Sequence, residues 1–147
     1  MDGDGDLDLY GINWLTSLQF NDATLRNDGN GFFGTVFTVP NSASDDEEAD
    51  FIDFDNDGDL DVYIPQGRRL DTPGAGTADA PRTGHTATTD RLYRNDLRLH
   101  PDGSRELRFT DVTAAARIPP LAPYGMGVAA GDIDNDGWTD LYLTRFG

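Results

Sequence analysis

The chain is 147 residues long, enough for one domain, and carries 27 acids against 11 bases, a formal net charge of −16. All 11 bases are Arg and 24 of the 27 acids are Asp, a field that argues against a nucleic-acid partner with no basic patch to offset it. The absence of cysteine excludes disulfides and thiolate metal sites, and no apolar stretch approaches the length of a membrane span.

The first predicted element is an acidic loop, Met1-Asp2-Gly3-Asp4-Gly5-Asp6-Leu7-Asp8, that runs into a short strand at Leu9-Tyr10. Asn27-Asp28-Gly29-Asn30-Gly31 ahead of Phe32-Phe33 is a hairpin signal. The acidic run Asp45-Asp46-Glu47-Glu48 reads as a solvated turn before a strand at Ala49-Asp50-Phe51-Ile52. The loop pattern then returns as Asp53-Phe54-Asp55-Asn56-Asp57-Gly58-Asp59-Leu60-Asp61, followed by a strand at Val62-Tyr63-Ile64. Residues 67–89 hold Gly67, Pro73, Gly74, Gly76, Pro81 and Gly84 without apolar periodicity and read as a surface-loop insertion. Arg91-Leu92-Tyr93-Arg94 and residues 107–113 are expected to pair through Pro101-Asp102-Gly103, and residues 112–117 can form one helical turn at most. A last strand at Gly127-Val128-Ala129-Ala130-Gly131 precedes the third loop, Asp132-Ile133-Asp134-Asn135-Asp136-Gly137-Trp138-Thr139-Asp140, and the strand Leu141-Tyr142-Leu143.

The glycines that align the three loops, Gly5, Gly58 and Gly137, lie 53 and 79 residues apart, and the insertion accounts for the longer interval. Repeats of about 40–50 residues with three or four short strands each match β-propeller blades. The first acid of the opening loop falls upstream of Met1, and Asp2 leaves no room for a signal peptide. The chain is therefore expected to be a truncated fragment of one β-propeller domain. Residues 1–66 form the end of one blade and the next loop, 67–89 the insertion, and 90–147 a further blade.

Acids at the first, third, fifth and ninth places, with Gly at the sixth, curl a loop so that alternate side chains converge. The seventh residue (Asp59 or Trp138) then offers its backbone carbonyl, which leaves its side chain free to vary. Two carboxylates ~4 Å apart repel by roughly 4 kcal/mol at an effective dielectric near 20, so four in one loop call for a cation. Hard oxygens in that number suit Ca²⁺ better than Mg²⁺. The three loops hold 13 of the 27 acids, so much of the net charge is that of empty sites. Acidic turns are the plain alternative, but two complete copies and a clipped third favour metal. A helix–loop–helix calcium motif needs Glu at the twelfth place, where Gly11, Ile64 and Leu143 stand.

The loops, together with Phe109-Thr110-Asp111-Val112-Thr113, residues 125–132 and Arg91-Leu92-Tyr93-Arg94-Asn95, resemble the FG-GAP/VCBS-repeat propellers that include the integrin α head. The same stretches resemble the cartilage-acidic-protein-like branch, whose bacterial relatives often carry an ASPIC/UnbV domain. The resemblance implies an all-β fold, a partial propeller of about two to three four-stranded blades, with each DxDxDGxxD calcium loop joining the first two strands of a blade. Carried over by position, it places Ca²⁺ ligands at Asp53, Asp55, Asp57 and Asp61 with the Asp59 carbonyl, and at Asp132, Asp134, Asp136 and Asp140 with the Trp138 carbonyl. Asp2, Asp4 and Asp8 form an incomplete first site. It further implies export, a secreted or cell-surface location, and the remaining blades of a parent propeller as partners.

No nucleophile elbow, phosphate-cradling Gly loop or zinc spacing is present, which points to a non-enzymatic scaffold recognising a protein or glycan ligand. The alternative is the propeller portion of a secreted polysaccharide-degrading enzyme, with Arg91, Tyr93 and His85 as channel residues. His85 and His100 read as loop histidines, Arg68 and Arg69 as surface bases, and Trp138 as a ring facing solvent or a neighbouring blade. Phe32, Phe33, Phe37, Phe51, Phe54, Phe109, Tyr63 and Tyr142 are expected to pack between strands.

Overall fold

The computed structural model describes residues 2–11, 22–39, 48–66, 90–119 and 124–146. The insertion at 67–89, with Arg68, Arg69 and His85, and the acids Asp45, Asp46 and Glu47 lie outside the described residues.

Eleven strands and no helix are found among the described residues: β1 (Leu9–Gly11), β2 (Ala23–Asn27), β3 (Phe33–Thr38), β4 (Asp50–Ile52), β5 (Asp61–Ile64), β6 (Arg91–Asn95), β7 (Arg98–Leu99), β8 (Arg105–Glu106), β9 (Phe109–Asp111), β10 (Tyr124–Gly131) and β11 (Asp140–Phe146). They form three small antiparallel sheets, none of them closed, with orders β1-β2-β3, β4-β5-β6-β9 and β10-β11, and a separate β7-β8 hairpin. Among the described residues one sheet has four strands, while the first has three and the third has two. The expected pairing of residues 91–94 with 107–113 is present as β6 against β9, and the turn at Pro101–Gly103 caps the small β7-β8 hairpin between them. After β9 the chain makes one turn, in which the Ala116 N–H reaches the Val112 carbonyl at 2.8 Å. Arg117 ends it with φ 57°.

The middle sheet is covered on both faces, and strand alternation explains how. Phe51, Val62 and Tyr93 are in register across β4, β5 and β6, as Tyr63 and Leu92 are on the opposite face. The first set joins Ile64 and Phe109 in a core cluster with Tyr10 and Phe37 of the first sheet and with Val39, which directly follows β3. There the Phe37 ring lies edge-on to Tyr93, with centroids 5.5 Å apart. The second set joins Ile52 in a cluster with Val128, Leu141 and Leu143 of the third sheet. β5 is therefore buried along its whole length, as its run of β-branched and aromatic residues suits.

Position within the repeat decides what the two outer sheets present. Leu9, Val62 and Leu141 stand four residues after the aligned glycines, and Tyr10, Tyr63 and Tyr142 stand five after. Val62 and Tyr63 are 2% and 0% exposed, whereas Leu9 is 47% and Tyr142 63% exposed, because each lies on an outer face. Phe33 and Tyr142 are consequently surface residues, as is Phe32 in the β2-β3 turn, and the expectation that these three pack between strands is corrected. Phe37, Phe51, Phe54, Phe109 and Tyr63 do pack there.

Polar ties cross the seam between the second and third sheets. Asp90, just before β6, is buried; its Oδ1 accepts the Gln66 N–H at 2.9 Å and its Oδ2 the Tyr63 hydroxyl at 2.7 Å and the Arg145 guanidinium. Burial and the adjacent carboxylate push the Tyr63 phenol well above its ordinary range. The backbones approach closely beside this group, with the Gly125 N–H 3.0 Å from the Gln66 carbonyl.

Candidate metal loops

Loop 1 (residues 2–8) leads into β1, loop 2 (53–61) joins β4 to β5, and loop 3 (132–140) joins β10 to β11. Their common sequence produces a common hydrogen-bonded frame. The sixth-place glycines have φ of 97°, 92° and 90°, a bend that L side chains disfavour. The fourth place is also left-handed, held by Gly3, Asn56 and Asn135. In each loop the fifth-place carboxylate accepts the N–H two residues on at 2.9 Å: Asp4 from Asp6, Asp57 from Asp59, Asp136 from Trp138. The first-place carboxylate straddles two further N–H groups, Asp53 taking those of Asp57 and Gly58 at 3.1 and 3.2 Å. Asp132 takes those of Asp136 and Gly137 at 3.0 and 2.9 Å.

The ninth-place acid closes the loop and ties it to the next strand. Asp61 Oδ2 accepts the Phe54 N–H at 3.1 Å, and Asp61 Oδ1 accepts the Asn95 N–H at 2.8 Å. Asp8 repeats the second contact with the Asn27 N–H at 2.9 Å, and Asp140 repeats the first with the Ile133 N–H at 2.9 Å. Asn27 and Asn95 each end a strand within the tripeptide Arg-Asn-Asp, at 26–28 and 94–96. Sequence reasoning read Asn27 as part of a hairpin and Asn95 as part of a strand, and gave neither a role at the acidic loops, although the repeated tripeptide was the available signal. Asn95 is fully buried and also donates through Nδ2 to the Leu60 carbonyl at 3.3 Å.

Two groups of three acids have oxygens within 4.8 Å of one another among the described residues: Asp53, Asp55 and Asp61 in loop 2, and Asp132, Asp134 and Asp136 in loop 3. Asp57 and Asp140 fall outside these groups, as do Asp2, Asp4 and Asp8, and the Asp59 carboxylate instead receives the Leu97 N–H. Trp138 is 56% exposed. The two groups differ in setting, since loop 3 is exposed whereas loop 2 is roofed by the end of β6. Burial raises Asp61 to about 6 against the pull of the Asn95 and Phe54 N–H groups, with Asp55 and Asp57 adding repulsion. Burial and then the Asp57 charge raise Asp55 as well, and Asp59 is raised for the same two reasons.

Backbone anchoring accounts for Asp53, Asp57 and Asp61 without any ion. The Asp57 N–H reaches the Asp55 carboxylate as well, but Asp55 Oδ1 is buried with no hydrogen-bond partner. An orphaned carboxylate oxygen costs folding energy unless a positive charge meets it. The donor set around it is all hard oxygen, which fits a hard divalent cation.

Loop 1 is braced differently. Asp2 is buried, its carbonyl accepts from the Arg105 guanidinium, and Arg105 Nη1 lies 3.8 Å from Asp2 Oδ1. Burial, then repulsion from Asp4 and Asp8, raises Asp2. Burial opposes ionisation of Asp8, but the Asn27 N–H outweighs it with other donors and holds Asp8 below its ordinary range.

Of the three residues named for a catalytic channel, His85 lies outside the described residues. Tyr93 is buried in the core, and Arg91 pairs with Asp111 at 3.2 Å across β6 and β9. Comparison with family models, curated proteins and solved structures returned no match.

Proposed function

We propose that the chain is part of an FG-GAP/VCBS-type propeller, a calcium-stabilised scaffold exported from the cell for recognition of a protein or glycan. The observation that carries the calcium reading is Asp55 Oδ1, buried and without a donor within the Asp53–Asp55–Asp61 group. The propeller reading is supported by three antiparallel sheets stacked face to face, with equivalent acidic loops joining β4 to β5 and β10 to β11.

Asp53, Asp55, Asp57 and Asp61, with the Asp59 carbonyl, hold the ion of loop 2. Asp132, Asp134, Asp136 and Asp140, with the Trp138 carbonyl, hold that of loop 3, and Asp2, Asp4 and Asp8 supply a weaker set in loop 1. A bound ion supplies the positive charge that cancels carboxylate repulsion. The chain's own contribution is the backbone frame that pre-curls each loop and ties loop 2 through Asp61 to the end of β6. Extracellular-type sites of ~10⁻⁴–10⁻³ M are filled outside the cell, where calcium is plentiful.

Melting with calcium, with magnesium and with EDTA tests the proposal. Filling a site to about 1,000 times its dissociation constant stabilises by roughly 4 kcal/mol. The expected result is a large calcium-specific rise in Tm that chelation reverses. No shift on chelation, or an equal shift with magnesium alone, removes the reading.

A further inference from the structure

Loops 2 and 3 touch, and the contact uses a side chain that the loop's own conformation does not need. Asn56 Nδ2 donates to the Gly137 carbonyl at 2.9 Å, across 81 residues of sequence. Asn56 has φ 58°, a conformation in which asparagine is favoured. Glycine meets the same requirement, and Gly3 does so at the equivalent place of loop 1 with φ 72°. What Asn56 adds over glycine is an amide donor, and that donor lands on the sixth residue of the neighbouring loop.

Gly137 is thereby held from two sides, since its own N–H already goes to Asp132 Oδ2 at 2.9 Å. The peptide fixed between Gly137 and Trp138 is the stretch that must be in place for the Trp138 carbonyl to serve as a ligand. The two loops also share a packing site. Phe54, the second residue of loop 2, packs in the same core cluster as Leu141, which directly follows Asp140 of loop 3.

We infer that loops 2 and 3 fill as a coupled pair, with Asn56 as the positioning residue that passes the state of one loop to the other. This rests on the calcium reading above. Filling loop 2 fixes the backbone that carries Asn56. A fixed Asn56 lowers the ordering cost of the Gly137 peptide, so loop 3 binds more tightly. Reciprocity requires that loop 3 favour loop 2 by the same factor. A single surface-level hydrogen bond supports a coupling of roughly fivefold. Loop 1 has Gly3 at the fourth place and so takes no part through this contact.

The test is a cycle built on Asn56→Gly, which keeps the left-handed backbone, drops the amide and changes no charge. Calcium titration is read by calorimetry for both loops. Trp138 emission reads loop 3, with Trp14→Phe leaving Trp138 as the one remaining tryptophan of the two. With loop 2 intact, Asn56→Gly is expected to weaken loop 3 roughly fivefold. With loop 2 disabled by Asp53→Asn and Asp55→Asn, the same change is expected to leave loop 3 unaltered. An equal effect in both backgrounds, or no effect with loop 2 intact, overturns the coupling. Should Asn56→Gly fail to fold, the reciprocal arm decides. Disabling loop 3 by Asp132→Asn and Asp134→Asn must weaken loop 2, and an unchanged loop 2 overturns the coupling. Two independent sites sink this inference alone, whereas a flat wild-type isotherm sinks the calcium reading and the inference with it.

Discussion

On the proposed calcium reading, Asp61 is expected to give stability a pH dependence whose sign reverses with calcium. Its carboxyl is completely buried and titrates at about 6, against an ordinary value of 3.8. At about 1.4 kcal/mol per pH unit that gap is worth about 3 kcal/mol. The folded state binds this proton more tightly than the unfolded chain. Its stabilising contribution is therefore fully present below 3.8 and is lost as pH rises through about 6. Chelated protein is expected to lose about 3 kcal/mol on this account between about pH 4 and 7. If calcium fills loop 2 as proposed, the ion competes with the proton for the same carboxylate, and stability is expected to climb with pH over that window. Other acids also give the chelated protein a falling slope, and Asp61→Asn isolates the one of interest. The amide keeps one acceptor for the Phe54 or Asn95 N–H and faces the other with a donor, a loss of ~1–3 kcal/mol that does not vary with pH. Urea unfolding of both proteins in EDTA across the window is the assay. Slopes that match between wild type and Asp61→Asn refute the argument.

Other expectations follow from the seam and the loops. Asp90→Ala removes the buried acceptor shared by the Arg145 guanidinium and the Tyr63 hydroxyl, and urea unfolding should show a loss of about 3–5 kcal/mol. Gly125→Ala should cost about 1–3 kcal/mol, because its new Cβ meets the Gln66 backbone oxygen at 2.8 Å. Gly127→Ala should cost less in the same assay, since its neighbours, Glu48 Oε2 at 2.7 Å and Thr144 Oγ1 at 2.9 Å, are side-chain ends that can turn away. Loop 2 should bind calcium more tightly than loop 3, because Asp61 is held by two N–H groups under the roof of β6 while loop 3 is open; calorimetry that ranks them the other way contradicts this.

The loops were legible in the sequence because their chemistry is local. The glycine bend and the alternate acids act within nine residues, and the strands on either side follow from β-branched and aromatic runs. What acts over a distance was not legible. The partner of Asp61 is a backbone N–H that lies beyond the insertion, at Asn95, and only the repeated Arg-Asn-Asp hinted at it. Nothing local in the sequence links Asp90 to Arg145, which lie 55 residues apart and meet only through stacking of the sheets. Phe33 and Tyr142 have the composition of core residues, but their burial depends on which face of which sheet they occupy, a property of the stack as a whole.

The seam between the second and third sheets is riveted at both ends. Asn56 and Gly137 meet where β5 begins, whereas Asp90, Gln66 and Arg145 meet where it finishes. Apolar contact between them resists separation but not sliding, since it has no preferred direction. Two directional fastenings a strand length apart remove the slide and the pivot together. The angle of the third sheet is then dictated by the second, and a torque applied to either is carried by the other.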